Sequence, residues 1–103
     1  MAGFRLTRRA EDDLAEIGAY TLRTWGAEQC ARYLDQLEAC CERLAEDPRR
    51  GRTCDEVRPG YRRRVQGKHV LYFRQIDEET ILIVRVLHAG MLPELHLGDD
   101  EDP

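Results

Sequence analysis

Residues 67–91 read GKHVLYFRQIDEETILIVRVLHAGM, and this stretch decides the fold. It predicts two strands, residues 69–76 and 80–87, because both are rich in β-branched and aromatic residues and a short acidic turn separates them. Alternation divides the second strand into two mostly apolar sets of side chains, which predicts a central strand covered on both faces. The two sets are Thr80, Leu82, Val84 and Val86 on one face, and Ile81, Ile83, Arg85 and Leu87 on the other.

Arg85 is the exception in this strand. A charged side chain at a covered position is costly unless it is paired or belongs to a binding surface. Two interpretations stay open: Arg85 pairs with an acidic residue of a covering helix, such as Asp13 or Glu16, or it contributes to a partner-binding surface.

One strand and two helices are predicted upstream of the hairpin. Residues 4–7 form a short strand, and Thr7 is the expected N-cap because acidic residues follow it in the first helical turn. Gly26 separates the helices, Trp25 is expected to pack at their corner, and Pro48 ends the second one. The helices carry apolar stripes at helical spacing: Ala10, Leu14, Ile17 and Thr21 in the first, then Ala27, Cys30, Leu34, Leu37, Cys41 and Leu44.

The remaining segments complete a β-α-α-β-β-β order. Residues 49–60 are predicted to form a loop and residues 61–65 a strand. Leu92, Leu95 and Leu97 suggest a short docked segment, and the acidic residues 98–103 are expected to be a disordered tail. The prediction is therefore an α+β domain over residues 1–97, with a helical hairpin packed on a mostly antiparallel sheet.

Length and composition exclude several classes of protein. A chain of 103 residues suits one small domain, no apolar run approaches membrane-spanning length, and no secretory signal is visible, so the expected location is the cytoplasm. The four cysteines lack zinc-site spacing, and Cys30 and Cys41 are expected to be small buried hydrophobes. Neither a metal nor a cofactor is predicted.

The formal charge of −4 is unevenly distributed. Residues 49–74 carry nine Arg or Lys residues against two acidic ones, within an otherwise acidic chain. Such a block indicates either an anionic partner or a basic loop balanced by the acidic helices, and composition alone leaves both open.

Short sequence pieces, in their order and spacing, give a stronger signal than composition. Together they resemble the ParE toxins of bacterial type II toxin–antitoxin modules, within the RelE/ParE superfamily, over residues 4–97. The pieces are LTRRAEDDL (6–14), WG (25–26), RYL (32–34), LAEDP (44–48) with GR (51–52), VRPG (57–60), GKHVLYF (67–73) and VRVLH (84–88).

The resemblance implies a function and a set of partners. ParE toxins bind DNA gyrase and block its turnover, whereas their RelE cousins cut messenger RNA in the ribosome. Both kinds are neutralised by an antitoxin whose C-terminal segment wraps the toxin. The expected function is therefore gyrase inhibition by protein–protein contact, with a cognate ParD-like antitoxin as partner and operator DNA bound only through that antitoxin.

Two sets of residues are candidates for these contacts. A large protein target calls for an exposed apolar anchor with a charged rim. The expected target-binding residues are Arg85, His88, Met91, Leu92 and Leu95. The antitoxin is expected in the groove between the helical hairpin and the sheet, with the basic block facing its acidic side chains. The residues predicted for this contact are Arg50, Arg52, Arg58, Arg62, Arg64 and Tyr72.

Alternatives to gyrase inhibition stay open. A ribosome-dependent endonuclease would use His69, Arg85 and His96, although arginine is a poor general base and the chain has a single lysine. A degenerate, non-toxic module that only binds antitoxin is the third possibility. The histidines also have structural interpretations: His69 as a hydrogen-bonded strand residue, and His88 as a cap on the sheet.

Overall fold

The hairpin of residues 69–88 lies at the centre of a five-stranded sheet. The computed structural model describes residues 2–97, so the predicted acidic tail lies outside the described part of the chain. The elements are β1 (Gly3–Leu6), α1 (Arg8–Trp25), α2 (Ala27–Glu46), β2 (Arg52–Thr53), β3 (Tyr61–Gln66), β4 (His69–Gln75) and β5 (Thr80–His88), with 3-10 turns at Pro48–Arg50 and Pro93–Leu95. The order of the strands in the sheet is β1-β5-β4-β3-β2.

The predicted α+β architecture is confirmed, with one added strand. β1 pairs with β5 in parallel, and the other neighbouring strands are antiparallel. The predicted loop at residues 49–60 contains the two-residue strand β2, whose Arg52 and Thr53 pair with Arg63 and Arg62. A strand this short, in a segment rich in Arg and Gly, has no apolar alternation by which it could be predicted.

A β-bulge in β5 overturns the predicted division of its side chains. Tyr72 pairs with Arg85, but the next residue, Phe73, pairs with Ile83, so Val84 is the extra residue. An extra residue reverses the alternation beyond it. Val86 therefore joins Ile81 and Ile83, and Leu87 joins Leu82 and Val84, the reverse of the simple period-two prediction.

Each face of the sheet carries its own buried cluster, which confirms that β5 is covered on both sides. The first core joins the sheet to the two helices: Ala10, Ile17, Leu37, Cys40, Cys41, Leu44, Ala45, Leu71, Phe73, Ile81, Ile83 and Val86. The second core lies on the opposite face under the loop after β2 and the C-terminal segment: Cys54, Tyr61, Val70, Tyr72, Leu82, Val84, Leu87 and Leu97.

Thr7 begins α1 as predicted. Its hydroxyl accepts a hydrogen bond from the Ala10 amide at 3.0 Å and donates one to the Val84 carbonyl at 2.7 Å. One buried side chain thus caps the helix and fixes the helix against the bulge in β5.

The corner between the helices differs from the prediction. Gly26 ends α1 with a φ of 92°, a region that favours glycine. Trp25 was expected to pack at this corner, but 60% of it is exposed. The predicted packing of Trp25 at this corner is therefore wrong, and most of its side chain faces solvent. Among residues 2–97, no helix is long and apolar enough to cross a membrane.

Candidate functional site

Arg85 is held by an internal network of hydrogen bonds. Its Nε and Nη2 atoms donate to the two carboxylate oxygens of Asp13 at 2.8 and 2.9 Å. Its Nη1 donates to the carbonyl of His96 at 2.7 Å. Asp13 also accepts a hydrogen bond from the Val86 amide at 2.9 Å, on the part of β5 that extends beyond β1. The Asp13 carboxylate therefore accepts hydrogen bonds both from the Arg85 guanidinium and from a backbone amide of the bulged strand β5.

These hydrogen bonds decide between the two interpretations of Arg85, internal pairing and partner binding. The Arg85 and Asp13 side chains are only 13% and 12% exposed, so the internal-pairing interpretation is confirmed, with Asp13 as the partner. Its guanidinium faces Asp13 and the His96 carbonyl, which argues against a direct contact between Arg85 and a target. Arg85 instead fixes the backbone of the chain at His96.

The exit of β5 is fixed by short-range hydrogen bonds. The Ala89 amide donates to the Lys68 carbonyl at 2.9 Å, and the Met91 amide donates to the His88 carbonyl at 2.9 Å. The His88 Nδ1 accepts from the Gly90 amide at 3.2 Å, so His88 has the capping role that the sequence suggested. The start of the C-terminal segment is thereby tied to the turn between β3 and β4.

Tyr33 of α2 holds that same turn. Its hydroxyl accepts from the Lys68 amide at 3.1 Å and lies 2.6 Å from the His69 Nδ1. Gly67 has a φ of 61°, and a Cβ there would lie 2.7 Å from the Tyr33 ring. The turn therefore requires glycine both for its backbone conformation and for the approach of Tyr33.

His69 should make stability depend on pH. Burial lowers the pKa of His69, and the neighbouring His88, whose ring centroid lies 5.6 Å away, adds to this lowering. The unfolded chain then binds the proton more tightly, so the free energy of unfolding should fall as the pH drops from the ordinary histidine pKa through the lowered one. Urea unfolding between pH 7 and 5 should show this loss.

The matched variant for this measurement is His69→Gln, which keeps a hydrogen-bonding group near Tyr33 but cannot titrate. Its stability should decline less than that of the wild type over the same pH interval. An identical decline in both proteins would assign the effect to other groups.

The C-terminal segment, residues 91–97, combines buried and exposed apolar side chains. Leu97 is 8% exposed and belongs to the second core, and Met91 packs against that core. Leu92 and Leu95 are 57% and 74% exposed. Pro93–Leu95 forms a 3-10 turn that places these two leucines on the outside of a fixed segment.

The three residues considered for RNA cleavage are largely engaged in the fold. His69 bonds to Tyr33 and Arg85 bonds to Asp13. His96 is joined to Arg85, but through its backbone carbonyl. Two of the three side chains are therefore already bound within the fold. No group of three or more potential metal ligands occurs among the described residues 2–97.

An apolar groove of about 350 Å³ opens between the helical hairpin and the β1 edge of the sheet. The sequence predicts a groove between the helices and the sheet, but none of the residues that line it is among the predicted binding residues. Apolar stripes alone do not tell which members stay accessible after packing. The groove is lined by Phe4, Leu6, Leu14, Ala15, Leu34, Leu37, Glu38, Cys41 and Leu71.

The residues predicted for the antitoxin are not brought together on one surface. Arg62 and Arg64 donate to the carbonyls of Gly51 and Arg50 on the helix-facing side of the sheet. Arg52 pairs with Arg63, which lies on the other face because neighbours in a strand alternate. Arg58 lies 6.0 Å from the Tyr61 ring in the second core.

Tyr72 is a further correction. It is 3% exposed and lies in the second core, so it is not available on the surface for a partner. The alternation of β4 is hidden in the sequence because both of its faces are apolar, and its second face is covered by Cys54 and Leu97, which lie on other segments of the chain.

The sequence matches a known protein family. Residues 4–93 match the profile of the family described as "ParE toxin of type II toxin-antitoxin system, parDE". The chain is 44% identical over 88 residues to Toxin ParE1 of Mycobacterium tuberculosis, covering 85% of this chain and 90% of that protein. It is 42% identical over 98 residues to Toxin ParE1 of Caulobacter vibrioides, covering 95% and 100%.

Solved structures share the fold. The chain superimposes on a chain of the chromosomal ParDE TA system from P. aeruginosa with a TM-score of 0.72 at 21% identity, covering 87% of this chain and 98% of that one. It also superimposes on a chain of the toxin-antitoxin complex RelBE2 from Mycobacterium tuberculosis with a TM-score of 0.64 at 24% identity, covering 84% and 96%.

Proposed function

Because this chain belongs to the ParE toxin family of type II toxin–antitoxin systems, we propose that it inhibits DNA gyrase by protein–protein contact in the cytoplasm. The observation that carries the proposal is the pair of exposed leucines, Leu92 and Leu95, on a segment fixed at both ends. Exposed apolar side chains on a rigid support suit a protein interface, because little conformational entropy is lost when they bind.

The segment is well placed to act as the target-binding surface. Arg85 fixes its end through the His96 carbonyl, and the β5 exit fixes its beginning at Ala89 and Met91. His88 is exposed beside it and supplies a polar neighbour. Of the residues predicted for the target, His88, Met91, Leu92 and Leu95 stay in the proposal, and Arg85 supports them from within.

A cognate ParD-like antitoxin is proposed to bind on the helix-facing side. The apolar groove would accept one face of an amphipathic helix, and the outer edge of β1 would accept an extended segment as an added strand. β1 and β2 are the two edges of the sheet, about 19 Å apart at ordinary strand spacing. An antitoxin that fills the groove and also reaches Arg50, Arg62 and Arg64 must therefore cross the sheet. Operator DNA would be bound through the antitoxin.

Inhibition of this kind needs no catalytic residue in the toxin. The runner-up, a ribosome-dependent endonuclease, would need His69 or His96 as a proton-transfer group and Arg85 at the scissile phosphate. Arg85 would first have to leave Asp13 and His96, which argues against this role. A non-toxic module that binds antitoxin alone is the third candidate.

Leu95→Glu tests the target-binding surface. The wild-type protein should inhibit DNA supercoiling by purified gyrase. The variant should need at least about tenfold more protein for half-inhibition, because a charge replaces an apolar anchor at the centre of the contact. Val65→Glu is the matched control, since Val65 is also apolar and 62% exposed but lies on β3, and this variant should inhibit like the wild type.

Three other outcomes would point elsewhere. Intact supercoiling together with codon-linked cuts in cellular transcripts would favour the endonuclease. No effect in either assay would favour the non-toxic module. Equal loss in both glutamate variants would contradict the assignment of this surface. Deleting residues 91–97 is a poorer test, because Leu97 is buried in the second core and its removal would expose that core.

A further inference from the structure

Three arginines lie in a row on the face of the sheet opposite the helices. Arg52 of β2 pairs with Arg63 of β3, so the two side chains project from the same face. Arg63 in turn pairs with Tyr72 of β4, and Arg74 lies two residues further along that strand, again on the same face. Tyr72 belongs to the second core, which identifies the face. We call Arg52, Arg63 and Arg74 the arginine row.

The arginine row brings like charges together without neutralising them. Like charges directly opposite each other on neighbouring strands destabilise a sheet, so the pairing of Arg52 with Arg63 is unfavourable in the free protein. No ion pair joins any of the three arginines to another residue within the described range 2–97. An arrangement that costs stability and is not compensated within the fold is typical of a binding surface.

The phosphate backbone of a nucleic acid is the ligand that fits this row. Guanidinium groups stay charged at all relevant pH values and bind phosphate oxygens in a bidentate manner. Duplex DNA carries one negative charge about every 1.7 Å of its axis, so three arginines spread over about 12 Å of neighbouring strands can each meet a phosphate. Residues 49–74 hold nine basic groups against two acidic ones, so the local charge is positive although the whole chain carries −4. That overall charge disfavours binding to free DNA, so the phosphates are best supplied by a protein that already holds the DNA.

The proposed target-binding surface lies beside the arginine row. The C-terminal segment packs on the second core through Leu97, on the face that carries the row. Glu94, between the two exposed leucines of this segment, acts electrostatically on Tyr72, and Arg63 donates a hydrogen bond to the same tyrosine. The apolar groove proposed for the antitoxin opens on the helix side of the sheet instead. A protein docked on the leucines therefore brings whatever it carries close to the row.

We propose that the arginine row binds the phosphate backbone of the duplex DNA that gyrase holds. This inference rests on the proposed function, because the leucines must first dock on gyrase. The protein then contacts gyrase and DNA at the same time, so DNA bound to gyrase strengthens its binding. Docking on gyrase gives the arginines a high effective concentration of phosphates, which free DNA does not offer.

Binding to purified gyrase, measured with and without a bound linear DNA duplex over a range of salt concentrations, tests this contact. For the wild type, DNA should raise the affinity, and this gain should shrink as the salt concentration rises. Combining Arg52→Gln with Arg74→Gln should remove most of the gain. It should also reduce the slope of log affinity against log salt for the gyrase–DNA complex by about 2, or about 1 for each lost phosphate contact. The affinity for gyrase without DNA should stay at the wild-type value. Arg63 is left in place because it bonds to Tyr72 of the second core.

Arg8→Gln combined with Arg23→Gln is the matched control. Both arginines are exposed on α1, on the other side of the sheet, and each double variant removes two positive charges from a chain of formal charge −4. The control should keep the wild-type salt slope. Arg52→Lys alone should also keep most of it, because lysine still binds phosphate as a point charge.

Four results would overturn the proposal. Equal affinity of the wild type for gyrase with and without DNA would exclude the DNA contact and leave the gyrase contact intact. Equal weakening of the Arg52 and Arg74 double variant in both conditions would assign the row to the surface of gyrase itself. The same change of slope in the α1 control would assign the effect to net charge. Absence of wild-type binding to gyrase in either condition would contradict the proposed function, and this inference with it.

Discussion

Replacing Asp13 with alanine should lower the free energy of unfolding by about 3–5 kcal/mol, the usual cost of removing one partner from a buried ion pair. The substitution leaves the Arg85 guanidinium, 13% exposed, without its carboxylate and removes the acceptor for the Val86 amide. Such a loss is a large fraction of the stability of a small domain. Urea unfolding followed by circular dichroism measures it.

Three further variants separate the contributions of the Asp13 charge and of its hydrogen bonds to this loss of stability. Asp13→Asn should cost less, because its amide oxygen still accepts from the Val86 amide while the charge is lost. Glu16→Ala should stay within about 0.5 kcal/mol of the wild type, as an exposed position away from such contacts. Converting both partners, Asp13→Leu with Arg85→Met, should recover part of the loss, because no unpaired charge remains. A cost below about 1 kcal/mol for Asp13→Ala would contradict the role given to this pair.

The pairing of Arg85 with a helix carboxylate could be predicted from the sequence, but the identity of that carboxylate could not. An arginine inside an apolar strand is visible in the sequence, and a carboxylate on the covering helix is the expected partner because an unpaired buried charge is costly. The choice between Asp13 and Glu16 depends on the rotation of α1 about its axis. The Thr7 hydroxyl sets that rotation through its bond to the Val84 carbonyl, and this long-range contact has no local signal.

The bulge in β5 is a second feature that could not be predicted from the sequence. Hydrophobic alternation predicts the strand, but both faces are apolar, so one inserted residue leaves no trace in the pattern. Its consequences reach the candidate site, because they decide that Val86 joins the first core, that Leu87 joins the second, and that the Val86 amide is available to Asp13. The sequence therefore predicts the elements and their order, while the pairing register determines which side chains meet.

The exposure of individual side chains was the hardest feature to predict from the sequence. Trp25 and Tyr72 were both placed wrongly, in opposite directions: the first is exposed and the second is buried. Aromatic side chains occur in cores and at interfaces alike, so residue type does not separate these cases. The exposed leucines of the C-terminal segment were predicted more successfully, because Pro93 interrupts regular structure and leaves them outside the strands.

A charged substitution in the lining of the apolar groove should greatly weaken antitoxin binding. Ala15 lines the groove but is itself exposed on α1, so Ala15→Glu should leave the fold intact. A carboxylate there would be desolvated by an apolar antitoxin helix, and Glu38 in the same lining would repel it. The dissociation constant for the cognate antitoxin should rise by about 30-fold or more, equivalent to about 2 kcal/mol.

Ala19→Glu is the matched control for this variant. Ala19 is also an exposed alanine on α1, one turn further along and outside the groove lining, so the substitution has the same charge and nearly the same helix propensity. Isothermal titration calorimetry should show wild-type affinity for this control and a weakened interaction for Ala15→Glu, with gyrase inhibition unchanged in both. Equal antitoxin affinities of Ala15→Glu and Ala19→Glu would mean that the antitoxin does not bind in the groove. Loss of gyrase inhibition in Ala15→Glu alone would mean that toxin target and antitoxin share this face, and that the C-terminal segment is not a separate surface.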